Sequence, residues 1–211
     1  MKKLWITLAM LGVALLSGCQ TVQPYDYTNL KASKPKSILV LPPINNSVEV
    51  TAPYSFLSTI SRPLAEKGYY VFPVSVIDAF MKENGLPTSF EMHSVPTAEI
   101  YKQTHADSIL YVTINEWGQS YQLLASNTVV DSTAKLVDAQ TGTLLWESRF
   151  HYVLASGDGG AGLVGMLVNA VVAQIAGSII DETPRANRFA NQIALNHSQT
   201  GLLPGPYVVP Q

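Results

Sequence analysis

Several groupings in the chain have residue types and spacings that could do chemistry, and each has to be read against the element that would carry it. Ser132-Thr-Ala-Lys135 matches S-x-x-K, in which a serine at a helix start gives its proton to a lysine one turn later. Here the flanking residues alternate in polarity. Both side chains therefore belong to a strand and point to opposite faces, and neither Ser-Asp-Asn nor Lys-Thr-Gly accompanies them. Gly157, Gly159 and Gly162 match G-x-G-x-x-G, with Asp181 about 20 residues on, but the residues after Asp181 read as helix where a dinucleotide-binding βαβ unit needs a strand. No Gly-Lys-Ser/Thr follows, so a Walker-type phosphate loop is excluded. His93, His105, His151 and His197 are scattered, with no i, i+4 pair of the kind that binds zinc. Glu91, Glu99, Asp107 and Glu116 could serve as the two carboxylates of a glycosidase only if the fold paired them across a cleft, whereas solvated surface carboxylates are far commoner. The reading is a protein without catalytic residues, cofactor or metal.

The chemistry that survives is at the N-terminus. Lys2 and Lys3 precede an uncharged apolar run from Leu4 to Leu16 that ends in Leu16-Ser17-Gly18-Cys19. The cationic end stays on the cytoplasmic side, the apolar run enters the bilayer, and the small residues fit a peptidase cleft. The run is too short for a permanent span, which needs about 20 apolar residues. Cys19 is the only cysteine. Leu16-Ser17-Gly18-Cys19 resembles the lipobox of Gram-negative lipoproteins, in which signal peptidase recognises the three residues before the cysteine and the thiol carries a diacylglyceryl group. Two or more acyl chains, palmitate among them, anchor stably at about 0.8 kcal/mol per buried methylene. Gln20 stands where lipoproteins retained at the inner membrane typically have Asp. The resemblance therefore implies an outer-membrane protein, lipid-anchored and facing the periplasm.

Composition narrows the partners. Removing residues 1–18 takes two lysines from the 13 basic residues, so 11 face 15 acidic ones and the mature formal charge is −4. Nucleic acid is not an expected partner, because binding it needs clustered Lys and Arg. With no second cysteine to pair with Cys19, stability must come from an apolar core, for which a hydrophobic fraction of 47% suffices.

The elements that must position everything else follow from periodicity. Residues 19–36, polar and broken by Pro24 and Pro35, read as a lipidated tether on which Tyr25 and Tyr27 rest against the domain. Ser37–Leu41 reads as a strand covered on both faces, stopped by Pro42 and Pro43. Tyr54–Lys67 reads as a helix that Pro63 interrupts and Gly68 ends. Tyr69–Phe72 is a second strand, Val76–Asn84 a second helix closed by Gly85, and this β-α-β-α order implies a parallel pair. A short helix over Pro96–Thr104 and a buried strand over Ser108–Ile114 follow. Val130, Ser132, Ala134 and Leu136 then alternate with Asp131, Thr133, Lys135 and Val137, and Thr143–Tyr152 alternates likewise, so residues 138–142 form the turn of a long antiparallel hairpin. The expected fold is α/β (α+β): a mixed β-sheet in a single domain over residues 37–200, with C-terminal helices ending near Asn196 and an extended tail over 201–211.

The run Lys135-Leu-Val-Asp-Ala-Gln-Thr-Gly-Thr-Leu-Leu-Trp146 resembles hairpins of TolB N-terminal and CsgG-type envelope proteins. Together with the lipobox, the Ser37–Pro43 strand and the Leu-Pro-Gly-Pro-Tyr207 tail, the whole mature chain is similar to a family of outer-membrane lipoproteins that includes a surface-antigen vaccine candidate. The resemblance implies a TolB N-terminal-like fold, a homodimer, and a role in envelope transport or assembly beside a CsgG-like partner. It supplies no catalytic residues.

Leu163–Ile180 contains no charged residue, while Asn169 and Gln174 lie inside it. It reads as a helix buried against a partner subunit, with membrane insertion and a plain core helix as alternatives. Gly165, Asn169, Ala173 and Gly177 are the candidate oligomer or membrane contacts, Ala173-x-x-x-Gly177 offering a close-packing surface. The expected function is a non-enzymatic interaction module. A second reading is a binder of glycan, lipid or small solute, in a cleft between the Pro42–Pro53 loop and the Gly-rich loop, with Tyr54, Trp117 and Trp146 stacking the ligand. An envelope hydrolase is the third.

Overall fold

The computed structural model describes residues 24–122, 125–155 and 182–208. The signal and lipidation residues Leu16, Ser17, Gly18 and Cys19, the Gly157–Gly162 loop, and Gly165, Asn169, Ala173 and Gly177 lie outside these residues.

The first strand explains the architecture. β1 (Ser37–Val40) leads into Leu41, and side chains in this run alternate between two apolar environments: Ile38 and Val40 face one core cluster, Leu39 and Leu41 another, all fully buried. A strand buried on both faces needs layers on both sides, and the chain supplies them. On one side pack α2 (Ala52–Glu66) and α6 (Thr183–Asn196). On the other pack α3 (Val74–Glu83), α4 (Ser89–Ser94) and α5 (Thr97–Thr104). The remaining strands are β2 (Ile44–Asn45), β3 (Tyr70–Val71), β4 (Ser108–Gln122), β5 (Ala125–Asp138) and β6 (Leu144–Ala155). The order is β3-β1-β4-β5-β6, parallel at β1/β3 and β1/β4 and antiparallel beyond β4. This is the mixed α/β sheet that the order of elements implied. β2 pairs with β4 further along than β1 does, so the two short strands behave as one interrupted by Pro42 and Pro43, which have no N–H for the ladder.

Several elements differ from the sequence reading, β2 among them. α2 runs unbroken through Pro63, and Lys67 N–H bonds the Pro63 carbonyl at 3.1 Å. Phe56, Leu57, Ile60 and Leu64 are buried on its inner face, and at about 1.5–3 kcal/mol each they outweigh the roughly 3 kcal/mol that an interior proline costs. α4 went unread because it is short, although Thr88 and Glu91 close a capping box around its first turn. β4 continues eight residues past Ile114, where a bulge at Asn115 and Gly118, at φ +130°, break the alternation by which a strand is read.

Residues 24–36 are the main departure, since most of the expected tether packs on the domain. Tyr25 and Tyr27 contact each other at 4.7 Å between ring centroids. The Tyr25 hydroxyl accepts the Glu147 N–H at 2.7 Å, and that of Tyr27 donates to the Gly201 carbonyl. α1 (Thr28–Ser33) buries Leu30, Asn29 donates to the Leu144 carbonyl at 3.0 Å, and Ser33 donates to Asp138 at 2.7 Å. Polarity averaged over the segment hides three apolar contacts, those of Tyr25, Tyr27 and Leu30 with one core cluster. Asp107 then locks the entry to β1, its Oδ2 accepting the N–H groups of Lys36 at 2.9 Å and Ser37 at 3.0 Å.

The C-terminal tail is extended, as its prolines imply, and tightly held. Leu202 is buried, Gly205 N–H donates to Lys67 O at 2.7 Å, and Tyr207 N–H donates to Gly68 O at 2.9 Å. A Cβ on Gly205 would stand 2.5 Å from the Gly68 oxygen, a backbone atom that cannot swing away. Gly205→Ala is therefore expected to lower stability by roughly 1–3 kcal/mol, as overpacking does. Limited proteolysis should show earlier cleavage between residues 203 and 208 in the variant than in the parent.

Candidate functional site

The structure does not bring the three candidate ligand-stacking aromatics to one cleft. Trp146 is fully buried and its indole N–H donates to the Thr200 carbonyl at 2.9 Å, so it is a core residue and no stacking platform. Tyr54 is 61% exposed, with the Lys82 ammonium 5.7 Å from its ring centre. Trp117 is buried, yet among the described residues its indole N–H has no partner. It borders a cavity of about 360 Å³ whose other walls are Asn46, Ser47, Val48, Asn115, Glu116 and Gly118. The loop side of that cavity is pre-shaped: Asn45 Oδ1 accepts the Ser47 N–H at 3.0 Å and Asn45 Nδ2 donates to the Glu49 carbonyl at 2.8 Å.

The carboxylates are dispersed. Glu91 caps α4, Asp107 ties β1, Glu99 lies 3.9 Å from Lys102, and Glu116 lines the Trp117 cavity. The histidines are equally separate. His93 bonds the Pro42 carbonyl at 3.0 Å, His105 ends α5 in the left-handed region, His151 lies 3.8 Å from Asp131, and His197 accepts the N–H groups of Gln199 and Thr200. Among the described residues no three His, Cys, Asp or Glu side chains are grouped to hold a metal. Ser132 is buried and Lys135 exposed, on opposite faces of β5, which is the arrangement that the alternating pattern dictated.

What the fold does assemble is an outer margin on β6. Tyr25 and Asn29 cover its first residues, Leu144 to Glu147. Since Glu147 N–H points away from β5, the peptide groups of Arg149, His151 and Val153 point outward too, and among the described residues no strand pairs with them. Apolar surface flanks this free ladder. Phe189 on α6 stacks on Tyr152 at 5.3 Å, Ile193 is half exposed one turn further along, and Val153 is 43% exposed on the opposite face. An unpaired strand edge beside exposed apolar side chains is an arrangement that binds another chain.

The same face carries one strong ion pair. Arg149 grips Asp131 through two hydrogen bonds, of 2.7 and 2.8 Å. The Arg149 guanidinium, with smaller help from His151 and Asn115, holds the Asp131 carboxyl below the usual carboxylate range. The sign of the linkage follows. The pair's contribution is present above the unfolded carboxylate value, about 3.9, and is lost as pH falls through the lower folded value. Arg149→Met should therefore flatten the fall in melting temperature between neutral pH and the region below about pH 4, measured by thermal melts against pH.

Comparison with known proteins places the chain. The family description "Putative lipoprotein GNA1162-like" matches residues 25–207. The chain is 39% identical over 207 residues to the "Putative lipoprotein NMB1124/NMB1162" of Neisseria meningitidis serogroup B, covering 97% of this chain and 96% of that one. The crystal structure of lipoprotein GNA1162 from Neisseria meningitidis aligns at 41% identity with a TM-score of 0.56, over 68% of this chain and 99% of that chain. The solved relative thus shares the α/β architecture described above.

Proposed function

The chain belongs to the GNA1162-like lipoprotein family, and from that premise we propose that it is an accessory module of the cell envelope that works by holding other proteins. The observation that carries this reading is the outer margin of β6, where peptide groups with no strand partner among the described residues adjoin Tyr152, Phe189 and Ile193. Membership makes it a lipid-anchored envelope lipoprotein. The finer placement is our reading: acyl chains on Cys19 after recognition of Leu16, Ser17 and Gly18, residence at the outer membrane facing the periplasm, a homodimer, and an envelope partner of the CsgG-like type. Gln20 supports the outer-membrane assignment, and the self-complementary requirements of a free strand edge support pairing with a second copy. The apolar stretch 163–180, through Gly165, Asn169, Ala173 and Gly177, is a second proposed contact. Confinement to a membrane raises the effective concentration of such partners, so a modest interface suffices.

Site-specific photocrosslinking in intact cells tests the proposal. A crosslinker at Val153 or Ile193 should yield protein adducts, including one at twice the mass of the lipoprotein, while one at the exposed Val76 on α3 should not. Empty lanes at both β6-margin positions would overturn it.

One observation favours a second reading. The buried indole N–H of Trp117, without a partner among the described residues and beside the Asn46–Val48 loop, suits a small ligand carrying an acceptor oxygen, such as a glycan fragment. A dose-dependent thermal shift with envelope glycans, abolished by Trp117→Phe, supports that reading; a flat melting temperature disposes of it.

A further inference from the structure

The shortened tether has a geometric consequence. Because the chain packs on the domain from Tyr25 onward, only four residues lie between Cys19 and Pro24, five Cα-to-Cα steps. At about 3.3–3.6 Å per residue that segment reaches at most about 18 Å, so the end of the domain carrying Pro24 is held at the bilayer surface. This step rests on the lipid anchor proposed above.

The charges at that end are unusual for the molecule. Arg62, Lys82, Lys102, Arg149 and Arg185 each hold a carboxylate. Among the described residues, six cations make no ion pair; Lys135 on β5 and Arg188 on α6 lie elsewhere, while Lys31, Lys34, Lys36 and Lys67 belong to one neighbourhood. Lys31 and Lys34 line a cavity of about 320 Å³, together with Leu30, Pro35, Tyr69 and the Leu203–Pro206 stretch of the tail. Lys36 follows Pro35, and the Lys67 carbonyl receives the N–H of Gly205 in the opposite wall. The acids nearby are already engaged. Asp107 takes the N–H groups of Lys36 and Ser37, Glu66 holds Arg62, Asp138 takes Ser33 and the hairpin turn, and Asp26 takes the Thr28 N–H at 2.8 Å. The floor is apolar, with buried Leu30 and Tyr69, whose hydroxyl is spent on the Leu203 carbonyl at 2.8 Å.

We propose that this cavity between α1 and the C-terminal tail is a docking site for the anionic phosphate headgroup of a membrane lipid, with Lys31 and Lys34 on the phosphate and the Leu30, Pro35 and Pro204 surfaces against the glycerol and upper acyl carbons. The occupant is argued from complementarity of charge and from the short reach to Cys19. A surface this close to a bilayer meets phosphates at high local density, and each lysine near an anionic surface gains on the order of a fivefold factor in association. The site would fix the rotation of the domain about its anchor, and hence the direction in which the β6 margin faces.

The test uses the intact lipidated protein in nanodiscs, its acyl chains first verified by mass. If the acyl chains are missing, the anchor reading fails and not this one. Acetylation of Lys31 and Lys34 should slow about fivefold in discs containing phosphatidylglycerol relative to pure phosphatidylcholine, while Lys82 and Lys102 react equally in both. Lys31→Glu with Lys34→Glu should abolish the corresponding slowing at Lys36 and Lys67 with an unchanged melting temperature. Equal rates in the two kinds of disc would overturn the proposal. So would inorganic phosphate reproducing the protection on phosphatidylcholine discs, which would make the site one for free phosphate.

Discussion

Trp146→Ala should lower the stability of the domain by about 4 kcal/mol, near the middle of the range for truncating a buried tryptophan. The indole is fully buried against α2 and α6, meets Phe150 edge-on at 6.2 Å, and carries the hydrogen bond to the Thr200 carbonyl that fastens the start of the tail to β6. Alanine removes all three contributions and leaves a cavity that the helices cannot close. For a domain of this length the loss corresponds to a fall in melting temperature of roughly 8–16 °C, readable by circular dichroism. Trp146→Phe separates the causes. It keeps most of the volume but orphans the Thr200 carbonyl, so it should cost about 1–3 kcal/mol. A melting curve for the alanine variant that superimposed on the parent's would mean that β6 and the tail are not packed as described.

Trp146 also shows why the candidate site was harder to read than the fold. In the sequence it is one of three aromatics in a polar hairpin context, and nothing in its spacing separates a stacking platform from a core residue. Only the three-dimensional position of Thr200, 54 residues away, decides it. Ile38 to Leu41 were readable because a strand apolar on both faces has one physical explanation, and the Asp138-to-Gly142 turn because Asp138 Oδ1 accepting two N–H groups and Gly142 at φ +72° are what that sequence favours. The polar pair Asn187 and Asn191 was not readable at all. Both are buried, and both donate to Thr59 Oγ1 across the α2/α6 contact. That arrangement requires two helices distant in sequence to be packed first.

The N-terminal segment hides the extent of its contacts for a related reason, only Tyr25 and Tyr27 being expected on the domain. Composition over residues 19–36 is that of a linker, but two tyrosine hydroxyls placed against exposed groups of β6 and Gly201 convert its second half into a strap. The difference matters, because a long tether would let the domain rotate freely above the membrane, while a short one commits a particular face to it. It also accounts for the protected half of the β6 edge. The strap covers Leu144 to Glu147 and leaves the outward groups of Arg149, His151 and Val153 for another chain.

Cys19→Ser should move the protein out of the outer-membrane fraction, the largest effect expected of any single substitution here. A serine hydroxyl accepts no thioether-linked diacylglyceryl group, so the variant carries neither that lipid nor the acyl chain added to the freed amine. At about 0.8 kcal/mol per buried methylene, one chain gives only marginal, reversible binding and two or more hold a protein for its lifetime. Nothing else in the described structure replaces them. No described helix is long and apolar enough to cross a membrane, and the headgroup site at Lys31 and Lys34 adds factors of about five for each lysine where the acyl chains add many powers of ten. Fractionation with palmitate labelling checks the expectation. Label should be lost, and the protein should appear in the periplasmic extract or accumulate as an uncleaved precursor held by residues 4–16. A variant that stayed in the outer-membrane fraction with its mass and label unchanged would remove the anchor, and with it the argument that the short reach from Cys19 to Pro24 decides which face of the domain meets the bilayer.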